Sequence, residues 1–252
     1  MGRFEGRVAL VTGAAQGIGA EFASGLAFEG AKITIADTVS GKDVVDNIIE
    51  RGGDAIDVRC DVSDEKSSQL AVSATVEAYG RLDILINNAA LFNNILRAHF
   101  DEITIEEWDR VCGVNVRGVW LMCKAAVPEM RKNSYGKIIN ISSARALRGA
   151  PGFLHYDTSK AAVLGITRSL AKEIGDDGIN VNSLVLGSIA SENVLKRHTE
   201  DGVTMDETIA TRALKRSEHP KDLVGACLFL ASNDSAFMTG QSLVVDGGGV
   251  MH

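Results

Sequence analysis

Seven short apolar, β-branched runs alternate with longer segments of helical period, and this alternation constrains the fold more than any other feature. It begins with strand Arg7–Thr12, helix Gly17–Glu29, strand Lys32–Asp37, helix Lys42–Arg51, strand Ala55–Asp61, helix Glu65–Tyr79 and strand Leu82–Asn87. It continues with a helix over about 105–131, strand Lys137–Ser142, a helix over about 156–174, strand Asn180–Leu186, a helix over about 221–231 and strand Ser242–Asp246. Strands that are apolar nearly throughout and joined by crossover helices belong to a parallel sheet covered on both faces. The expected class is therefore α/β, a single doubly wound parallel sheet with helices on both sides. One stretch breaks the rhythm: Ser188 to Pro220 is polar, mixed in charge and weakly helical. An insertion of that length after a strand is expected to act as a lid over a site.

Composition removes several partners. Acidic residues outnumber basic ones, 33 to 26, for a net charge of −7, which opposes the counterion-release binding that a nucleic acid rewards. The four cysteines, Cys60, Cys112, Cys123 and Cys227, are far apart with no CxxC pair, so reduced thiols are expected rather than a disulfide framework or a metal site. The start MGRFEGRVALVTG runs straight into a strand without an export signal, and no apolar run approaches the roughly 20 residues a spanning helix needs. A cytoplasmic protein that binds neither membrane nor nucleic acid is the expectation.

Thr12-Gly13-Ala14-Ala15-Gln16-Gly17-Ile18-Gly19 follows the first strand and leads into a helix. Glycine is needed where the chain turns sharply and where backbone must approach a pyrophosphate, and free amides at the helix N-terminus meet negative charge. Gly13, Gln16, Gly17, Ile18 and Gly19 are therefore candidate dinucleotide contacts in a Rossmann-type sheet, which would make residues 1–252 one cofactor-binding and catalytic domain. Asp37 ends the second strand, 18 residues past Gly19, where a carboxylate can accept hydrogen bonds from a ribose diol and repel a 2′-phosphate. Nothing basic occupies the loop position before Gly17, so NAD is expected rather than NADP. Asp61 ends the third strand, placed to accept from an adenine amino group.

Tyr156 and Lys160 lie four apart, on one face of a helix. A phenol is a poor base at neutral pH until a neighbouring cation favours the phenolate. Thirteen residues before Tyr156, Ser142-Ser143 end the fifth strand, where a hydroxyl can bond a substrate oxygen.

With these motifs the sequence resembles the short-chain dehydrogenase/reductase family over essentially its whole length. The resemblance is carried by TGAAQGIG at 12–19, NNAA at 87–90, Asn115-Val-Arg-Gly118, the Ser143/Tyr156/Lys160 set and the C-terminal TGQ to VDGG stretch at 239–248. It implies Tyr156 as acid/base, Ser143 as polariser of the substrate oxygen, and Lys160 on the nicotinamide ribose and beside Tyr156. It also implies Asn115 in a water relay toward Lys160, Asp61, Val62, Asn88 and Ile189 as further cofactor contacts, and a homotetramer packed through apolar helix faces around Trp120. Two departures stand out: Ala90 where the family usually has Gly, and Leu186-Gly187 where it usually has Pro-Gly, the latter predicting a looser loop with an added apolar side chain. Within the family, the sequence is similar to (S)-1-phenylethanol dehydrogenase-like and pyridoxal 4-dehydrogenase-like enzymes.

The expected activity is interconversion of a secondary alcohol and a ketone, with an aryl or cyclic substrate and no metal. A 3-oxoacyl thioester reductase is the alternative enzyme, and a non-catalytic dinucleotide sensor the alternative of another class. Substrate-pocket walls are expected from Leu91-Phe92-Asn93, Ala144-Arg145, Phe153, Leu186 and the segment 188–216, beside Ser143 and Tyr156. Arg145 or Arg148 would serve as a clamp for an anion, although surface positions are the simpler expectation for both. His155 is expected at a partly exposed helix start.

Overall fold

The computed structural model describes residues 2–92, 95, 97–190 and 205–251. Seven strands form one parallel sheet: β1 (Val8–Thr12), β2 (Lys32–Asp37), β3 (Asp54–Arg59), β4 (Ile84–Asn87), β5 (Gly136–Ser143), β6 (Ile179–Leu186) and β7 (Ser242–Val245). Their spatial order is β3-β2-β1-β4-β5-β6-β7, so the chain reverses direction across the sheet between β1 and β4. Ligands of such sheets bind at that reversal, outside the carboxyl ends of the strands.

Continuous apolar strands serve two cores at once. Ala9, Val11, Ile84 and Ile86 face one helix layer with Phe22, Leu26, Leu223 and Leu230, whereas Leu10 and Leu85 face the other with Val72, Met122, Ile138 and Val163. Full burial of each such side chain contributes roughly 1.5–3 kcal/mol. The first layer holds α1 (Gly17–Phe28) and α2 (Lys42–Glu50), and the second holds α3 (Glu65–Tyr79), α5 (Gly118–Arg131) and α7 (Leu154–Ile174). Asp83, fully buried just before β4, accepts from the Val8 amide and from Arg7 and Arg81, which closes the amino edge of the sheet opposite the ligand edge.

Three expectations are corrected. The helix expected over 105–131 is three pieces: α4 (Ile105–Cys112), a π-helical stretch Gly113–Arg117, and α5. The extra residue per turn in that stretch re-aims the side chain of Asn115. The third strand ends at Arg59 rather than Asp61, because the Cys60 amide bonds the Asp37 carbonyl and Asp61 turns back to accept from Ser63. A short helix, α6 (Arg145–Arg148), follows β5 and was not expected.

The segment foreseen as a lid is described only at its ends. Residues 191–204 lie outside the described residues, as does Asn93 of the expected substrate wall. At the ends, Ile189 bridges to Glu218, and α8 (Met205–Ala210) precedes α9 (Pro220–Ala231). Leu186 ends β6 with its carbonyl bonded by the Ala144 amide, and the Gly187 amide bonds the Val245 carbonyl. The Leu-Gly pair is thus tied into the sheet edge, not a looser loop. Among the described residues, no helix is long and apolar enough to cross a membrane.

Candidate active site

A cleft of about 1250 Å³ opens over the carboxyl ends of the strands and gathers nearly all the predicted site residues. Its walls include Gly13, Gln16, Gly17, Ile18, Asp37, Asp61, Val62, Asn88, Ser143, Tyr156, Lys160 and Ile189, with Phe92, Arg145, Phe153 and Leu186 at the far end. Gly19 packs just behind the loop. A Cβ there would meet the Gly13 carbonyl at 2.4 Å and Asn88 Nδ2 at 2.6 Å.

The glycine loop is held open by its neighbours. Gly13 has φ +63°, and a Cβ on it would lie 2.7 Å from the Ala89 Cα. Asn88 Nδ2 donates to the Thr12 and Gly13 carbonyls at 3.0 and 2.8 Å, and the Thr12 hydroxyl accepts from the amides of Asn88 and Ala89. Gly17, φ +62°, has open space where a Cβ would be. Gln16 does not cap α1 with its side chain, so the first-turn amides face the cleft without a protein acceptor from that position. An uncapped helix start, a glycine with no neighbour on its cleft side and a carboxylate at the end of β2 fit a dinucleotide: pyrophosphate at Gly13–Gly19, adenosine ribose at Asp37. Asp37 is oriented for this role by accepting from the Ala15 and Val39 amides at 3.1 and 3.3 Å.

The residues expected to handle the proton sit on the other side of the β1–β4 reversal. Strand β5, buried at every position, delivers Ser143 to its tip, and α7 delivers Tyr156 and Lys160. Tyr156, Ser143 and Lys160 are 8%, 8% and 4% exposed, enough for a reactant in the cleft to touch them while bulk water is largely excluded. Lys160 Nζ donates to the Ile141 carbonyl at 2.9 Å and lies 5.9 Å from the centre of the Tyr156 ring. Burial pushes its ammonium down to about 8. Asn115 accepts from the Leu91 amide at 2.7 Å and donates to the Leu91 carbonyl and to the Ser159 hydroxyl at 3.1 and 3.0 Å. Its direct partners are thus Leu91 and the residue before Lys160, not Lys160 itself.

The end of the cleft expected to hold the substrate is aromatic. Phe92 packs tilted between Tyr156 and Phe153, with ring centres 4.8 and 6.0 Å away, and Leu186 lies on the same cleft. Arg145 is neither a surface residue nor a free clamp. Its guanidinium binds Asp157 through Nε at 2.6 Å and Nη2 at 3.2 Å, reaches the Ala150 carbonyl, and covers the Phe153 ring. His155, expected to be partly exposed, is fully buried, with Nε2 3.9 Å from Glu107 Oε1, and is absent from the cleft wall.

A family model described as enoyl-(acyl carrier protein) reductase matches residues 13–249. The chain belongs to the short-chain dehydrogenase/reductase family. An uncharacterized oxidoreductase of Thermotoga maritima is 38% identical to this dehydrogenase/reductase over 97% of the chain and 98% of the relative. A 2,5-dichloro-2,5-cyclohexadiene-1,4-diol dehydrogenase of Sphingobium indicum is 38% identical over 98% and 97%, and a 3-oxoacyl-[acyl-carrier-protein] reductase of Synechocystis is 35% identical over 97% of each. The crystal structure of levodione reductase superposes on this short-chain dehydrogenase/reductase with a TM-score of 0.92 at 30% identity, covering 97% of one chain and 98% of the other.

Sequence reasoning missed several residues that shape the dehydrogenase/reductase site. A buried polar chain, Asn87 to Asn140 to Thr167, crosses the sheet beneath the cleft. Arg212 and Glu218, 3% and 6% exposed, form an ion pair at 3.1 Å under the loop after β6. For the first, the signal was an asparagine at the end of β4 and another in the middle of β5. For the second there was none, since the two residues stand in the least patterned part of the chain.

Proposed function

We propose that the protein is an NAD-dependent dehydrogenase that interconverts a secondary alcohol, aryl or cyclic, with its ketone. One observation carries the reading: Ser143, Tyr156 and Lys160 line the same cleft as the glycine loop and Asp37. The nicotinamide, when bound, supplies or accepts the hydride. The Tyr156 hydroxyl gives its proton to the substrate oxygen as a ketone is reduced and takes it back as an alcohol is oxidised. Ser143 Oγ, which accepts from the Arg145 amide at 3.3 Å, donates to the same oxygen and polarises it. The Lys160 ammonium favours the phenolate and holds the nicotinamide ribose. Asn115, held by Leu91, bonds the Ser159 hydroxyl next to that lysine and supports a water relay toward it. Val62, Asn88 and Ile189 complete the cofactor bed, and Phe92, Phe153 and Leu186 keep water from the reacting carbon. The reading includes a small-molecule substrate, a cytoplasmic setting and a homotetramer.

Asp37 favours NAD because a fixed carboxylate repels a ribose 2′-phosphate. A cyclic alcohol is supported by the Sphingobium relative, whose name gives a cyclic diol. The Synechocystis relative favours a 3-oxoacyl thioester reductase as second reading, against which stands the carboxylate at Asp37, in a place where an NADPH enzyme wants a neutral or basic group. A panel of alcohols, ketones and a 3-oxoacyl thioester, followed by nicotinamide absorbance with both cofactors, decides. The expected result is turnover of secondary alcohols with NAD⁺ favoured at least about tenfold in kcat/KM, roughly 1.4 kcal/mol. Equal use of both cofactors would remove the argument from Asp37, and turnover confined to the thioester would hand the site to the second reading.

A further inference from the structure

The cleft is electrically two-ended. Among the described residues, its carboxylates, Glu21, Asp37 and Asp61, lie on the β1–β2–β3 half, whereas its arginines follow β4 or β5 on the other half. Two of those arginines are neutralised: Arg110 by Glu107 at 2.8 and 2.9 Å, and Arg145 by Asp157. The other two, Arg97 and Arg148, are exposed on the cleft and have no ion pair among the described residues. A chain with a net charge of −7 thus presents at the mouth of its substrate end two guanidinium groups that no described carboxylate pairs. They are not placed for a cofactor phosphate, because the glycine loop and Asp37 lie across the strand reversal from them.

The local geometry sets the reach. The Ala98 amide donates to the Gly152 carbonyl at 3.1 Å, and the Arg97 side chain lies so close over Gly152 that a Cβ there would meet its Cγ at 2.6 Å. Phe153 follows directly, and from its ring the wall runs through Phe92 to Tyr156. Arg148, at the end of α6, lines the same cleft. A ligand whose carbonyl sits at Tyr156 and whose apolar body rests on Phe92 and Phe153 therefore has its far end beside guanidinium groups. Charge-assisted bonds from arginine to a carboxylate are among the strongest a partly desolvated site can make.

We propose that the substrate is an anionic hydroxy or keto compound, an aryl or alicyclic keto acid, whose carboxylate is bound by Arg97 and Arg148 at the end of the aromatic wall. This rests on the alcohol–ketone reading above and adds a substrate class to it. The positive field of the two guanidinium groups also draws such substrates toward the cleft of an otherwise acidic protein.

The test uses the whole protein loaded with NADH and three probes: 4-acetylbenzoate, its methyl ester, and a 3-oxobutyryl phosphopantetheine thioester. Calorimetric affinity is measured alongside turnover at low and high salt, for the wild type, for Arg97→Gln with Arg148→Gln, and for each single variant. The expected result is that the acid binds at least about tenfold more tightly than the ester, a preference that shrinks with added salt and collapses toward unity in the double variant. Equal affinity for acid and ester in the wild type, or a preference that survives the double variant, would overturn the anion site. So would an arginine-dependent preference for the phosphopantetheine probe over the acid. Selective binding of the acid without turnover of any probe would leave the anion site standing and sink the dehydrogenase reading. Equal turnover of acid and ester would do the reverse.

Discussion

Lys160 shows how a single residue couples chemistry to stability. Buried between β5 and α7, its ammonium is pushed down to about 8 by burial from an ordinary 10.5. Between those values the unfolded chain binds more protons than the folded one, so this residue makes stability rise with pH from about 8 to 10.5 and costs stability below 8. Lys160→Met is therefore expected to stabilise the cofactor-free protein at pH 7 by about 1–2 kcal/mol, the lost bond to the Ile141 carbonyl offsetting part of the gain. It should at the same time abolish turnover and weaken NADH binding. Tyr156→Phe, which removes only the proton carrier, should abolish turnover with NADH affinity within about threefold of wild type. Urea unfolding and NADH fluorescence titration separate the two, and unchanged NADH affinity in Lys160→Met would remove the ribose from its role.

At the scale of elements, the loop after β6 depends on the buried pair behind it. Arg212 donates to Glu218 and to the Ser188 carbonyl, and the Ala190 amide donates to the Glu218 carbonyl, so Ile189 is held against the cofactor bed by the 212–218 segment. Burial pushes the Glu218 carboxyl up to about 7, only partly opposed by Arg212, with Asp246 and Asp222 adding to the rise. Here the folded protein binds the extra proton, so this contribution is full below about 4.5 and fades as pH climbs through 7. Relative to wild type, Glu218→Gln should gain about 1–2 kcal/mol between pH 5 and pH 8, part of the linkage being screened by solvent beside the cleft. Chemical denaturation of both proteins at the two pH values checks it, and a constant difference would mean that Glu218 stays ionised throughout.

For the whole molecule, the sheet leaves large apolar groups outside either core. Ile105 on α4, Trp120 on α5 and Leu154 at the start of α7 are 76%, 53% and 47% exposed. An assembled protein would cover such groups, and light scattering behind size exclusion is expected to report a tetramer. Trp120→Glu, on an exposed position whose loss leaves the core intact, should shift the population to smaller species. A monomer at micromolar concentration in the wild type would contradict the assembly.

The sequence by itself determined the parallel sheet, the place of the glycine loop and the spacing of Tyr156 and Lys160, because those features follow from local periodicity. Apolar runs such as Ile84–Asn87 must be covered on both faces, glycines occur where a side chain would strike Ala89, and four residues of helix bring a lysine beside a tyrosine. Only the tertiary structure decided the rest, because it turns on long-range partners. That Arg145 is bound by Asp157 while Arg97 and Arg148 are not, that a π-helical stretch aims Asn115 at Leu91 and Ser159, and that Arg212 meets Glu218 beneath Ser188 all depend on segments that become neighbours when the sheet closes. Charge and side-chain identity are written in the chain, whereas the pairing that neutralises one arginine and leaves another for a ligand exists only once the fold has brought the carboxylates to some arginines and not to others.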